Sequence, residues 1–164
     1  VIKFSEFLKE QDSKGTYVSA RLTQESKDDL YKWAASSGIP NTIMPDEYHV
    51  TVCYSRKWFD PGYKSKNVSL SGNVIGYDLF KNSNGTTAFV LKLKSQELID
   101  YHNSYRNDYG ATHDYPEYIP HLTISYDVPN NFKSPKTPIL TIRFDKLVVE
   151  ELDLDWISKV KTIK

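Results

Sequence analysis

Apolar and polar positions alternate over "GTYVSARL" (residues 15–22), a stretch rich in β-formers, and this predicts a strand. The period then changes. In "SKDDLYKWAASSG" (26–38), Leu30, Trp33, Ala34 and Ser37 fall on one helical face, with Ser26 as the predicted N-cap and Gly38 as the stop. A loop holding Pro40 and Pro45 leads to a strand at 49–55. A longer strand is predicted over 67–80, bent at Gly72 or Gly76. "NSNG" (82–85) is a hairpin turn, and "TTAFVLKLK" (86–94) pairs back. A second helix is predicted over 95–110, capped by Ser95, stopped by Gly110, with Leu98, His102, Tyr105 and Tyr109 facing inward. Strands at 121–126 and within 139–152 complete the pattern, and "VIKFSEFLKEQ" at the start predicts a short helix with Phe4, Phe7 and Leu8 on one face.

The order is therefore β-α-β-β followed by β-α-β-β. "YHVTVCYS" (48–55) returns 72 positions later in "PHLTISYD" (120–127), in the frame His, apolar, Thr, apolar, small, Tyr. Gly38 precedes His49 by 11 residues, and Gly110 precedes His121 by 11. This predicts one α+β domain over 1–164 with pseudo-repeats at about 16–80 and 86–152. Its antiparallel sheets would line a central groove, with the helices outside.

Strand parity sorts the repeated residues. His49, Thr51 and Cys53 point one way, as do His121, Thr123 and Ser125. The partners Val50, Val52, Tyr54, Leu122, Ile124 and Tyr126 are expected in the core, with Cys53 a filler rather than a nucleophile. Two imidazoles and two hydroxyls facing one groove suit phosphodiester cleavage. One imidazole takes a proton from the attacking hydroxyl, the other protonates the leaving oxygen, and the hydroxyls donate to the phosphate. Chance supplies roughly 0.3 H-x-T triplets in such a chain, so two in matched frames stand out. Neither strand offers a Cys/His/carboxylate trio at metal spacing, so no metal or other cofactor is expected. The pseudo-symmetry leaves the acid and base roles interchangeable. His102 is expected to pack on its helix, and loop residue His113 has no expected role. Arg56 and Lys57 after the first motif are basic surface positions.

Charge narrows the ligand. Lys+Arg and Asp+Glu both number 21, for a net charge of zero, which argues against duplex nucleic acid and permits a small phosphate ligand. The single cysteine rules out an internal disulfide. With no membrane-length apolar run and no signal-peptide pattern, a cytoplasmic location and no membrane partner are expected. Tyr (12), Phe (7) and Trp (3) are plentiful enough to furnish base-stacking platforms.

"HVT" and "HLT" on paired strands resemble the two-histidine (2H) phosphoesterase superfamily, a bilobal, pseudo-twofold fold, across nearly the whole chain. "GTYVSARL", "IPN", "HVTVCYSRK", "GATHDYPEYIPHLTISYDV" and "VEELDLDW" further resemble the phage anti-CBASS phosphodiesterases. The resemblance implies metal-independent cleavage of 3′–5′ bonds in cyclic di- and trinucleotide immune signals, in the cytosol of an infected bacterium. It implies His49, Thr51, His121 and Thr123 as catalytic. It further implies Tyr17 as a base-stacking aromatic, Glu150 (or Glu151) as a substrate-binding acid, and Phe80 (or Trp58) as a second stacking aromatic. Two other functions fit the motifs. One is a 2H enzyme acting on 2′,3′-cyclic or 2′–5′ linked RNA ends. The other is a non-catalytic sponge for cyclic nucleotides.

Overall fold

A computed structural model describes residues 14–162, so the helix expected around Phe4, Phe7 and Leu8 lies outside the described residues. The elements follow the order read from the sequence: β1 (Thr16–Leu22), α1 (Gln24–Ser36), β2 (His49–Ser55), β3 (Ser65–Lys81), β4 (Thr87–Lys94), α2 (Gln96–Tyr109), β5 (His121–Val128) and β6 (Thr141–Glu151). Short 3₁₀ turns lie at Pro45–Glu47 and Trp156–Lys159.

Helix ends explain the boundaries. Thr23 caps α1, its hydroxyl accepting from the Ser26 N–H at 3.2 Å. The expected cap, Ser26, is buried inside the helix instead, where its Oγ accepts from the Arg143 N–H of β6 at 2.9 Å and ties α1 to the sheet. Ser95 caps α2 as expected, accepting from the Leu98 N–H. Gly110 ends α2 in the left-handed conformation, φ 68°, which an L side chain would resist.

All ladders are antiparallel, and the strands close into a barrel in the order β1-β2-β5-β4-β3-β6. The two expected lobes are present as β2-β1-β6 and β5-β4-β3, joined along both edges. The last strand of each repeat lies in the other repeat's lobe. Exchanging β1 with β4, β2 with β5 and β3 with β6 maps the set of pairings onto itself, so the strand order has a pseudo-twofold axis. That axis passes the one registered pair between β2 and β5, Val50 opposite Leu122, which are themselves 72 positions apart. Beyond this point the strands part, opening the sheet where the two H-x-T motifs lie. β3 slips register between Val74 and Gly76, at one of the glycines expected to bend it.

The core fills the other face of the sheet. Val18, Ala20 and Leu22 of β1, Leu91 and Leu93 of β4, and Ile142 and Phe144 of β6 pack with Leu30 and Leu98 of the helices. Leu30 and Leu98 are fully buried, each contributing about 1.5–3 kcal/mol relative to exposure. α2 lies against β2 and β3, and α1 against β6 and the Pro45–Glu47 turn. The helices therefore cover the face opposite the repeated histidines.

Candidate active site

His49 opens β2 and His121 opens β5. The Nδ1 of His49 lies 2.7 Å from the Glu47 carbonyl, and that of His121 lies 2.9 Å from the Ile119 carbonyl. A carbonyl only accepts, so Nδ1 donates in both cases. The neutral tautomer is thereby fixed, and Nε2 is the nitrogen left to exchange protons with a ligand. The same bond, two residues back along the chain, orients both rings. Antiparallel running from the Val50–Leu122 pair carries His49 toward Thr123 and Thr51 toward His121.

A β-bulge recurs in each motif. Val18 pairs with Cys53 but Ser19 with Thr51, so Val52 is an extra residue on β2. Phe89 pairs with Ser125 but Val90 with Thr123, so Ile124 is the extra residue on β5. These are equivalent positions, 72 apart. Each bulge turns the following parity over. Cys53 and Ser125 therefore join the core, at 1% and 0% exposure, while Tyr54 and Tyr126 turn to the histidine face. This overturns the expected core placement of both tyrosines and the groove placement of Cys53. The Cys53 thiol is pushed up to about 12 by burial, which leaves it inert as a nucleophile.

The tyrosines serve the threonines. Tyr17 Oη and Thr51 Oγ1 lie 2.7 Å apart, and the Tyr126 phenol lies near the Thr123 side chain. Burial raises both phenols above their ordinary range, Tyr126 to about 12, so both stay protonated and able to donate. The Tyr17 ring also stands edge-on to His49 at 6.2 Å and to Tyr54 at 6.1 Å. Trp156, on the final 3₁₀ turn, lies near the Tyr54 phenol and edge-on to Tyr126 at 5.2 Å. It thus bridges the two lobes. The sequence reading missed Trp156, because only the bulges reveal that its tyrosine partners face the groove.

Cross-strand register places a cation beside each histidine: Arg21 opposite His49, and Lys92 opposite His121. Arg21 is steadied by Ser19 Oγ at 3.0 Å and by Glu150 Oε1 at 3.6 Å. Glu150 itself pairs with Tyr17 in the ladder. The off-by-one candidate, Glu151, pairs with Thr16 and falls on the opposite parity. Phe80 stands edge-on to His121 at 5.4 Å, while Trp58 lies on the loop after β2. In the ladder, Phe80 faces Ala88 much as Glu150 faces Tyr17. The chemistry near the axis is thus symmetric, and its flanks differ, with Tyr17 and Glu150 on one side and Ala88 and Phe80 on the other. Arg56 is engaged by Asp114, through contacts of 3.0 and 2.9 Å, and its guanidinium lies over the Tyr54 ring at 5.7 Å.

The two imidazoles sit in unlike fields. Burial drives the His49 pKa down to about 4, and Arg21 and a charged His121 push it the same way. Burial also lowers His121, but there the Asp78 carboxylate pulls upward. Among the described residues, no three His, Cys, Asp or Glu side chains gather as a metal site would require.

A bilobal sheet with two equivalent H-x-T strands at its opening defines a two-histidine phosphoesterase fold. A solved phosphoesterase superposes with a TM-score of 0.58 at 13% identity, covering 93% of this chain and 97% of that one. E. coli LigT complexed with 3′-AMP gives 0.57 at 13% identity, covering 84% and 87%. The family model for "Anti-CBASS protein Acb1" matches residues 14–159, and the chain belongs to that family. Relatives bearing that name include one from Vibrio phage KVP40, 34% identical over 157 residues (96% of this chain, 98% of that protein). Another, from Enterobacteria phage T4, is 35% identical over 153 residues (91% and 95%).

Proposed function

We propose that this protein is a phage phosphodiesterase that hydrolyses 3′–5′ bonds of cyclic di- and trinucleotide immune signals by metal-independent His/His catalysis. It would act in the cytosol of an infected bacterium and blunt the CBASS response. The observation that carries this reading is the pairing of two identically oriented H-x-T strands about one axis, each histidine presenting Nε2. Membership of a family named for anti-CBASS action supports this substrate class.

His49, neutral beside Arg21, takes the proton of the ribose 2′-hydroxyl at Nε2. The 2′-oxygen attacks phosphorus in line, and the P–O5′ bond breaks. His121, whose proton is favoured by Asp78, donates from Nε2 to the departing 5′-oxygen. The ring opens to a linear chain ending in a 2′,3′-cyclic phosphate. Water then opens that phosphate, with the proton now on His49 given to the sugar oxygen and His121 accepting one from water. Thr51 and Thr123 donate to non-bridging oxygens, and the tyrosines behind them hold the hydroxyls in place. Arg21 and Lys92 balance the phosphate charge. Tyr17 and Phe80 stack the bases, and Glu150 accepts from an exocyclic amine while steadying Arg21.

Replacing His49 or His121 by Ala tests this. Turnover of a cyclic dinucleotide should fall roughly 10²–10⁴-fold, while calorimetry still detects binding. Undiminished signal depletion by the double variant would instead make the protein a sponge.

A further inference from the structure

The histidines with no assigned chemistry, His102 and His113, lie behind the first motif. His102, on α2, is 1% exposed, and its Nδ1 donates to the Val52 carbonyl at 2.7 Å. Tyr118, on the loop before β5, donates its hydroxyl to the Thr51 carbonyl at 2.7 Å. The two rings stack, with centroids 4.1 Å apart and planes 8° from parallel. His113 closes on His102 edge-on at 4.7 Å, anchored by the Glu117 carbonyl at 3.1 Å.

Val52 is the extra residue of the β2 bulge, so its carbonyl has left the regular ladder and needs a donor from elsewhere. The other lobe meets the same need differently. There the Ile124 carbonyl, at the equivalent position, accepts from the backbone N–H of Ile43 at 2.9 Å. Thr42 bridges Ser125, and Ser125 Oγ donates to the Pro40 carbonyl, so the Ile124 carbonyl is held by main chain and the strand beside it by the Ser125 hydroxyl. In the first lobe an imidazole and a phenol do the work.

We propose that His102 and Tyr118 are positioning residues that lock the β2 bulge and so set the aim of His49 and Thr51 into the groove. The bulge lies one residue from Thr51 and three from His49. Its extra residue brings Tyr54 onto the face that His49 and Thr51 already share. Removing either side-chain donor frees a carbonyl whose bond direction defines that geometry, whereas no single side chain holds the second bulge's carbonyl. The inference rests on the proposed acid–base role of His49 for its kinetic consequence, but not for its structural one.

The test compares Tyr118→Phe, which deletes one oxygen, with His102→Phe, which removes the donor, and His102→Asn, whose amide restores a donor near Nδ1. Tyr105→Phe serves as the control. It breaks the part-buried Tyr63–Tyr105 hydroxyl contact of 2.6 Å on the same helix and leaves the donors to the Thr51 and Val52 carbonyls in place. With 3′,3′-cyclic GMP-AMP as probe, Tyr118→Phe and His102→Phe should lower kcat roughly 10- to 100-fold with KM changed less than about threefold. His102→Asn should recover most of kcat, and Tyr105→Phe should lower Tm alone. The His49 imidazole resonances should move in Tyr118→Phe while those of His121 stay in place. Loss of Tm without loss of kcat, or a His49 signal unmoved in Tyr118→Phe, would overturn the proposal. If wild type turns over no cyclic nucleotide, the proposed function fails, and the His49 resonances alone decide the positioning role. Should His102→Phe not fold, Tyr118→Phe decides it.

Discussion

The His49 environment predicts a specific acid sensitivity. Burial makes the charged imidazole costly, so the folded protein holds His49 near a pKa of about 4 against an ordinary 6.5. Below pH of about 6.5 the unfolded chain takes up a proton that the folded protein refuses. Stability from this group is therefore full above about 6.5 and drains away until His49 itself titrates near 4. Each pKa unit corresponds to about 1.36 kcal/mol, so the His49 share between pH 7 and pH 5 is about 2 kcal/mol, approaching 3 at pH 4. The variant His49→Asn retains an amide able to donate to the Glu47 carbonyl but cannot titrate. Urea unfolding of both proteins at pH 7 and pH 5 isolates the difference, since the other groups largely cancel. Wild type should lose about 2 kcal/mol more than His49→Asn on acidification. Equal losses would show that His49 is not held neutral by its surroundings, and its assignment as the base would fall with that.

The same asymmetry shapes the pH–rate profile. The free enzyme needs His49 neutral and His121 protonated, so kcat/KM should rise above about pH 4 and then fall about tenfold per pH unit once His121, held below its ordinary value by burial, loses its proton. A kcat/KM rising steadily to pH 8.5 would contradict the assignment, and Asp78→Asn should move the alkaline limb to lower pH. Phe80→Ala removes the ring beside His121 and should weaken cyclic dinucleotide binding roughly tenfold, with Phe80→Tyr near wild type, measured by calorimetry on the His49→Ala background.

Much of this was legible in the chain. The β-α-β-β repeat, the caps at Ser95 and Gly110 and the starts of both histidine strands follow from local patterns, because each depends on residues within a few positions. Ser26 misled because Thr23 offers the same hydroxyl three residues earlier, at the position whose backbone is extended. The strand exchange between lobes is a matter of long-range pairing, which periodicity does not encode. The parity of Tyr54 and Tyr126 was wrong for a sharper reason. A β-bulge inserts one residue without leaving Gly or Pro as a marker, so strict alternation places Cys53 and Tyr54 on the wrong faces. The repeat held a clue that alternation could not use: both motifs put a small residue before the tyrosine, and in both that residue is buried. Arg21 and Lys92 went unremarked for a related reason. Their meaning comes from lying opposite a histidine, and cross-strand register is visible only in the folded sheet.

The central claim is that two symmetry-related histidines cut a cyclic nucleotide without a metal. Incubating the purified protein with a panel of cyclic di- and trinucleotides in EDTA, and resolving products by mass, tests it most directly. The account predicts ring opening wherever a 3′–5′ bond is present, giving linear products that carry a terminal phosphate. Intact rings, with linear 2′–5′ or 2′,3′-cyclic RNA ends cleaved instead, would keep the acid–base pair and contradict the substrate. No cleavage in EDTA of any substrate would contradict the account itself.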